Sequence, residues 1–234
     1  MRWHATIMAP SPRLGDHGPV VDSEWGSAPN PRFAGALPWH FAKAIEGERI
    51  RLDLLRDDDF EPLYEMQSDP VVCRYLLYEP RSREKVAEVL TRDAAATRLA
   101  KPGDYLQPAI RDSDGRFVGT MYFELKSVDD RTAEIGWLVG PAFQGRGYAR
   151  EAAAMLLDLA FGELGVHRVA ARVDPRNLAS AALCRRLGLR LEAHHAEDEW
   201  FKGEWGDTAI YAVLAREWSA RRPAPAGPGL SSKG

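Results

Sequence analysis

The sequence predicts an α+β fold, in which consecutive antiparallel strands lead into one crossover of strand, helix and strand. Apolar and polar residues alternate over 132–139, which is typical of a half-buried strand. A glycine-bearing turn follows at 144–149, and an apolar helical period then runs over 150–161. The change of period from two to near four places this strand, turn and helix at the centre of the fold.

The segments that come first along the globular part are short and amphipathic. Alternation over 50–54 predicts a strand. Asp58 and Glu61 have the three-residue spacing of a capping box, which predicts a helix that begins there and ends at Asp69-Pro70. A second helix is predicted over 82–99, because apolar residues recur on one face until a Lys-Pro-Gly break.

Three antiparallel strands are predicted next, over 105–110, 117–125 and 132–139. Turn-forming residues separate them at 112–115 and at 129–130. The three strands therefore form a meander that feeds the crossover.

The elements after the central turn complete the sheet. Small and apolar residues at helical spacing over 149–160 predict a helix face that lies close against a sheet. A strand is predicted over 168–173 and a short helix over 178–187. The last strands are predicted over 189–192 and 208–214, joined by a polar, aromatic loop.

Length and composition restrict the class of protein. The 234 residues carry a net charge of −3 and have a sequence pI near 6.1, which gives no basic footprint for nucleic acid or for an anionic membrane. No apolar run has the length of a membrane span and no signal peptide is evident, so a cytoplasmic location is expected. Cys73 and Cys184 lie far apart without metal-type spacing, so no metal site is predicted.

Composition divides the chain into three parts. Residues 1–44 are rich in proline and glycine, and they are predicted to form an irregular extension. Residues 45–218 are predicted to be the globular domain, and residues 219–234 a disordered tail. Scattered tryptophans leave open that the extension packs across the domain or a partner.

The turn at 144–149 has the layout of a phosphate site. Backbone N–H groups at a helix start lack partners and carry partial positive charge, and Gly145 and Gly147 allow close approach. A plain strand-to-helix turn is the alternative. The Gly-Lys-Ser/Thr ending of a P-loop is absent. A dinucleotide fold, in which Asp174 would bind ribose, has Arg150 at its third glycine position.

Two short motifs resemble those of the GCN5-related N-acetyltransferases, the GNAT superfamily. Gln144-Gly-Arg-Gly-Tyr-Ala149 is similar to their Arg/Gln-x-x-Gly-x-Gly/Ala signature, and Asn177, Ser180 and Leu187-Gly188-Leu189 resemble their second conserved block. Further stretches resemble the RimJ/RimL-like branch, which acetylates N-terminal amines of ribosomal proteins: 48–52, 69–75, 207–211 and 217–218. The resemblance implies a three-layer α/β/α domain whose mixed, mostly antiparallel sheet contains a splayed pair of parallel strands.

The resemblance also implies acetyl-CoA as cosubstrate and no metal. The pyrophosphate would bind the turn and the pantetheine arm would follow the strand before it, with a main-chain amide near Leu138 facing the thioester oxygen. Asn177 and Ser180 would contact the pantetheine from the other side, although Asn177 could instead only cap the next helix. The residues implied in cosubstrate binding are Trp137, Leu138, Val139, Gln144, Gly145, Arg146, Gly147, Tyr148, Ala149, Asn177 and Ser180.

The general acid and base are less well marked. Glu134 begins the strand that would be splayed, where several relatives use a carboxylate; a structural role is its alternative. Relatives place a tyrosine where this chain has Cys184, which could protonate the leaving thiolate or fill the core. Ser180 is a second candidate acid. Acids late in the chain could attract a cationic amine or form a solvated face: Glu192, Glu197, Asp198, Glu199, Glu204 and Asp207.

The predicted activity is direct transfer of acetyl to a primary amine in a ternary complex. A protein or peptide N-terminal amine is the first hypothesis for the acceptor. An α-amine with pKa near 8 costs only about 1 kcal/mol to deprotonate at pH 7, whereas a lysine-like amine costs about 4.5 kcal/mol. A small amine such as an aminoglycoside, polyamine or amino-acid derivative is the second hypothesis, and a non-catalytic acyl-CoA-binding module is the third. A homodimer is left open.

Overall fold

A computed structural model describes residues 37–221. The predictions for residues 1–36 of the extension and for the tail after residue 221 lie outside these residues. None of the described helices is long and apolar enough to span a membrane.

Short strands and helices come first, and the longest strands come last. The strands are β1 (Trp39–His40), β2 (Ile45–Glu46), β3 (Ile50–Asp53), β4 (Arg98–Leu99), β5 (Tyr105–Leu106), β6 (Ala109–Asp112), β7 (Phe117–Ser127), β8 (Thr132–Val139), β9 (Arg168–Val173), β10 (Arg190–Phe201) and β11 (Glu204–Leu214). The α-helices are α1 (Phe60–Ser68), α2 (Pro70–Cys73), α3 (Arg83–Ala94), α4 (Tyr148–Asp158), α5 (Leu178–Leu187) and α6 (Ala215–Arg221). A π-helical turn, Leu159–Glu163, continues α4.

Within residues 37–221, nine strands form one mixed sheet. Their order is β10-β11-β9-β8-β7-β6-β3-β2, with β5 beside β7. Every neighbouring pair is antiparallel except β8 and β9, and β1 pairs with β4 outside this sheet. The predicted mixed, mostly antiparallel sheet is confirmed.

The parallel pair is joined only where it begins. Residues 132–134 of β8 pair with residues 168–170 of β9, and these two described strands pair with each other nowhere else. Because β8 continues to Val139 and β9 to Val173, the strands separate into a wedge-shaped gap. Backbone N–H and C=O groups line its β8 side without a β9 partner, which makes them available to a bound molecule. The splayed pair is confirmed.

Helices cover both faces of the sheet. On one face α4 lies close because the residues it turns to the sheet are small, and Ala152, Ala153 and Ala160 are fully buried. On the other face α1 and α3 enclose a second, smaller core that includes Leu63 and Leu90. Alternate residues of β7 and β8 serve the two cores.

Among the predicted element boundaries that differ from the structure, two have a clear physical cause. The helix predicted over 82–99 ends at Ala94, because Arg98–Leu99 is recruited as a strand that pairs with Trp39–His40. The strand predicted over 105–110 is two strands, interrupted at Pro108, which has no N–H to donate to a ladder.

The predicted capping box of Asp58 and Glu61 is wrong. Asp59 instead accepts a hydrogen bond from the N–H of Arg56 (2.8 Å), and its carboxylate pairs with buried Arg111. Glu61 pairs with Arg83 of α3. Asp59 takes the capping role because its carboxylate can bind both the backbone at the helix start and the buried guanidinium of Arg111.

The polar loop predicted over 193–207 is also wrong, because β10 and β11 continue through it as a hairpin. Lys202 and Gly203 both have positive φ, of 55° and 78°, which matches the two-residue turn that a hairpin prefers. Trp200 and Trp205 face each other across the strands with ring centroids 5.3 Å apart. Such cross-strand aromatic pairs stabilise a hairpin.

Candidate active site

The turn between β8 and α4 has the geometry of an anion cradle. Gly145 and Gly147 adopt left-handed φ of 73° and 84°, which other residues rarely adopt. No side chain of the described residues caps the start of α4, and a Cβ at Gly145 would meet open space. Gln144 Nε2 donates to the carbonyl of Val139 (3.0 Å) and fixes the turn to the end of β8. The first amides of α4 are therefore available to a phosphate.

Arg49 supports this turn from the N-terminal side of the sheet. Its Nη1 donates to the carbonyl of Arg146 (3.0 Å), its Nε to Glu151 Oε2 (2.9 Å) and its backbone N–H to Glu151 Oε1 (2.8 Å). The guanidinium lies 5.4 Å from the centre of the Tyr148 ring. One side chain thus holds the turn and the first turn of α4 together. Sequence reasoning missed Arg49 because it lies 97 residues from Arg146.

The gap between β8 and β9 meets α5 on one side. Trp137 Nε1 donates to Ser180 Oγ (3.2 Å), which ties the splayed strand to the helix. Asn177 Oδ1 accepts from the N–H of Ser180 (3.1 Å), so Asn177 does cap α5. A contact of Asn177 with pantetheine stays a prediction. The cradle and the unpaired β8 backbone fit the pyrophosphate and the arm of CoA.

Glu134 lies where β8 and β9 begin to separate. Its side chain is 23% exposed and its Oε2 lies 3.8 Å from Lys126 Nζ. Burial raises the pKa of Glu134, and the charges of Lys126 and Arg172 oppose that rise. A carboxylate with a raised pKa is a stronger proton acceptor than an exposed one, which suits a general base.

A second buried carboxylate faces Glu134 across the strands. Glu124 is the register partner of Glu134 and is almost fully buried. Tyr122 Oη donates to Glu124 Oε2 (2.7 Å), and Lys126 Nζ lies 3.3 Å from Glu124 Oε2. Burial raises the pKa of Tyr122, and the hydrogen bond to the Glu124 carboxylate raises it further. Sequence reasoning missed Glu124, because counting back from the 129–130 turn places Leu125 opposite Glu134, and a shift in register between Leu125 and Ser127 brings Glu124 there instead.

The two candidate acids have different surroundings. Cys184 is completely buried in the core around α4, and this burial raises its pKa to about 12. Ser180 is half-buried and its hydroxyl oxygen faces Trp137 at the gap. The surroundings of Cys184 favour the core interpretation, and Ser180 is the candidate that reaches the gap.

A cavity opens above the end of β9, between the segment after α2 and the β10–β11 hairpin. Its charged lining includes Arg74, Arg172, Arg176, Glu199 and Lys202. Arg172 lies on the same face as Glu134, because Ala170 is the register partner of Glu134 and strand residues alternate in direction.

Several late acids that could have attracted a cationic amine are neutralised locally. Glu192 pairs with Arg168 and Arg190, and Glu204 pairs with Arg176. Asp207 is held by His194 (2.8 Å) and by the backbone N–H of Glu197 (2.9 Å), and these hydrogen bonds lower its pKa. Their field at the cavity is therefore weak.

A sheet with one splayed parallel pair, followed directly by a glycine turn and a helix start, defines a protein built to hold a phosphate-bearing acyl donor. A family model of the acetyltransferase (GNAT) domain matches residues 49–190. The chain belongs to the GNAT acetyltransferase family, and it is an acetyl-CoA-dependent N-acetyltransferase of GNAT type.

Individual relatives agree with this assignment. The chain is 31% identical to the uncharacterized N-acetyltransferase YnaD of Bacillus subtilis (strain 168) over 75% of this chain and 99% of that protein. It is 30% identical to the putative ribosomal N-acetyltransferase YdaF of the same organism, over 75% and 96%.

Solved structures are similar in fold. The crystal structure of a GNAT-family acetyltransferase from Bacillus anthracis is 27% identical, with a TM-score of 0.67 over 75% of this chain and all of that one. The spermidine N-acetyltransferase of Vibrio cholerae in complex with CoA and spermine is 20% identical, with a TM-score of 0.64 over 73% and 98%. The second likeness shows the fold alone.

Proposed function

We propose that this acetyltransferase transfers acetyl directly to an α-amine, with Glu134 as general base. The observation that carries the proposal is the position of Glu134: a half-buried carboxylate with a raised pKa, at the point where the parallel strands separate. Such a carboxylate can accept a proton from an ammonium of ordinary α-amine pKa, directly or through one water.

The residues that we propose to bind acetyl-CoA do so mainly through their backbone amides. The amides of Gly145, Gly147 and Ala149 bind the pyrophosphate, and charge-assisted bonds of this kind contribute about 1.5 to 3 kcal/mol each. A β8 amide near Leu138 faces the thioester oxygen, where a fixed donor stabilises developing charge. Acetyl-CoA supplies the acetyl thioester when bound.

The proton balance of the transfer needs one acceptor and one donor. Glu134 takes the proton of the attacking amine as the new C–N bond forms. The C–S bond breaks, Ser180 donates a hydrogen bond to the leaving thiolate, and the thiolate takes its proton from solvent, to which Glu134 returns the proton of the amine. Cys184 is not assigned this role, because its side chain is completely buried in the core, whereas the hydroxyl of Ser180 lies at the gap.

Two observations bear on the acceptor. An N-terminal amine is supported by the low cost of deprotonating an α-amine and by the name of YdaF, a putative ribosomal N-acetyltransferase. A small amine is supported by a contact that encloses one side of the cavity. Lys202 Nζ of the hairpin donates to the carbonyls of Cys73 and Leu76 (3.2 Å for Leu76). That contact narrows the cavity on one side.

Release of CoA thiol from acetyl-CoA, with a panel of peptides and small amines, tests the proposal. We expect release that depends on an amine and that Glu134→Gln reduces strongly. Glu192→Gln, which removes an ion-paired carboxylate of the hairpin, serves as the matched control. Binding of CoA without release for any amine would instead support a non-catalytic acyl-CoA module.

A further inference from the structure

Several of the charged groups that line the cavity above β9 already have partners. Arg176 binds Asp174 at 2.7 Å and Glu204 at 2.6 Å. Lys202 is held by backbone carbonyls after α2. Arg176 is therefore neutralised by two carboxylates, and two donors of Lys202 are taken up by the backbone.

Two guanidinium groups in the same lining have no carboxylate of the described residues within 4.0 Å. Arg172 makes one long hydrogen bond, from Nη2 to Thr208 Oγ1 at 3.4 Å. Arg74 lies over the ring of Tyr75, 5.2 Å from its centre. Arg172 is half-buried and Arg74 is exposed. A guanidinium with free donors can bind a carboxylate through two parallel bonds.

Arg172 also lies close to the proposed reaction centre. It follows Ala170, the register partner of Glu134, by two residues on the same face, which corresponds to ~7 Å along the strand. Its charge acts on Glu134. A carboxylate on Arg172 and an amine near Glu134 are thus separated by the span of one small molecule.

We propose that the acceptor is a zwitterion of the α-amino-acid type, whose carboxylate binds Arg172 with help from Arg74 while its amine faces Glu134. This inference rests on the proposed function, and it names the substrate class of that site. Glu199, the remaining carboxylate of the lining without an ion pair among the described residues, is a second partner for the ammonium.

The same arrangement disfavours a polyamine. A second ammonium of a polyamine would meet Arg172 and Arg74, and like charges at close range are repelled. A peptide N-terminus lacks a carboxylate next to its amine unless its first side chain is acidic. Free amino acids and peptides with an N-terminal Asp or Glu share the required chemistry, and the experiment separates them.

The test compares free α-amino acids with their α-carboxamides, which differ only in the carboxylate. Binding to the full-length protein saturated with CoA is measured by calorimetry, and kcat/KM by thiol release. We expect the acids to bind at least about tenfold better than the amides, which corresponds to one charge-assisted contact. Arg172→Met removes this preference by weakening the acids alone, and Arg172→Lys retains part of it. Dipeptide amides with N-terminal Asp or Asn, which differ only in the side-chain carboxylate, form the second arm.

Arg168→Met is the matched control, because Arg168 lies on the same strand and face but is paired with Glu192. It should keep the preference. Equal affinities of acid and amide in the wild-type protein would overturn the inference, as would a preference that survives in both Arg172→Met and Arg74→Met, or tighter binding of spermidine than of any amino acid. Equal turnover of acids and amides sinks the inference but leaves the proposed function standing. Selective binding of the acids without thiol release would support the inferred carboxylate site and contradict the proposed acetyl transfer.

Discussion

The donor side and the acceptor side of this acetyltransferase are built in different ways. The proposed donor cradle is one contiguous turn, 144–149, with backbone amides and two left-handed glycines. The proposed acceptor side takes Glu134 from β8, Arg172 from β9 and Arg74 from the segment after α2. A site made of backbone can be recognised from local sequence, whereas a site made of side chains exists only once the strand register is known.

The two sides also differ in their electrostatics. The cradle relies on a helix start and is braced by one ion pair, Arg49 with Glu151 at 2.8 Å. On the acceptor side, buried carboxylates and cations alternate, as in the contacts of Lys126 with Glu124 and Glu134. The donor side therefore fixes one ligand, while small changes on the acceptor side can alter the acceptor.

The largest expected effect separates chemistry from donor binding. Glu134→Gln should lower kcat by about 10²- to 10⁴-fold, the usual contribution of a general base, and should leave the affinity for CoA unchanged. The acidic limb of the kcat/KM profile should disappear, because that limb follows ionisation of a carboxylate whose pKa is raised by burial. Stopped thiol-release assays across pH, with calorimetry for CoA, measure both.

The same variant has an opposite effect on stability. Because the folded pKa of Glu134 lies above its unfolded value, the folded state of the wild-type protein loses stability as pH rises through the folded pKa. Glu134→Gln removes that loss, so its free energy of unfolding should exceed the wild-type value at pH 8. A base role would be refuted by unchanged kcat together with this higher stability.

The second largest expected effect is on CoA binding, which the first variant leaves unchanged. Gly147→Val should weaken CoA binding by about 100-fold, because loss of one or two charge-assisted bonds costs about 3 kcal/mol. A side chain at φ of 84° is strained, and its Cβ would lie 3.3 Å from Arg49 Nη2. Calorimetric titration with CoA measures the effect.

Gly115→Val is its control. Gly115 also has a left-handed φ, of 79°, in the turn after β6, where a Cβ meets open space. Both variants carry similar backbone strain, about 1–2 kcal/mol. Equal CoA affinities in the two variants would show that the cradle is plain turn geometry.

The part of the fold that could be predicted is the part dictated by local pattern. The strand over 132–139 and the helix over 178–187 were predicted with the bounds that the structure gives, because alternation and a capping residue mark them directly. The hairpin was missed because Lys202-Gly203 is a weaker turn signal than Asn-Gly. Its strands also carry charges that suggest a solvated loop.

The contacts that could not be predicted are those between distant segments. Arg111 with Asp59 is a buried bidentate pair 52 residues apart, and Arg49 with Glu151 is separated by 102 residues. Nothing in composition or period selects one arginine for such a role. Tertiary register decides it.

The third effect tests the brace of the donor cradle. Arg49→Met should raise KM for acetyl-CoA by about tenfold, the equivalent of one hydrogen bond to a charged group, while KM for the amine stays the same. Arg49 supports the turn through the Arg146 carbonyl (3.0 Å), so it acts as a positioning residue. Steady-state kinetics with each substrate varied in turn separates the two KM values.

A double-mutant cycle controls this result. Because Arg49 and Glu151 bond to each other, Arg49→Met and Glu151→Gln should be non-additive in KM for acetyl-CoA. Arg49→Lys, which keeps the charge but has fewer fixed donors, should restore part of the affinity. Fully additive effects would mean that the two residues act on the turn independently.

The smallest expected effect concerns Cys184, which is buried in the main core and to which we assign no part in the chemistry. Cys184→Ala should change kcat by no more than about twofold, because no general acid is lost, and should lower the free energy of unfolding by about 1 kcal/mol through the small cavity that is left. Ser180→Ala should lower kcat more than Cys184→Ala does, because Ser180 reaches the gap.

The pH dependence of the unfolding free energy further tests whether Cys184 is a buried core residue. Burial holds the pKa of folded Cys184 at about 12, whereas an unfolded cysteine ionises near 8.5. The wild-type protein therefore keeps the full contribution of this thiol below about pH 8.5 and loses it as pH rises toward the folded pKa. Cys184→Ala lacks this term, so its deficit in unfolding free energy should shrink between pH 8 and pH 10 in denaturant titrations. A deficit that stays constant over this range would mean that the thiol is less enclosed than its packing indicates, and a hundredfold fall in kcat would return Cys184 to the reaction.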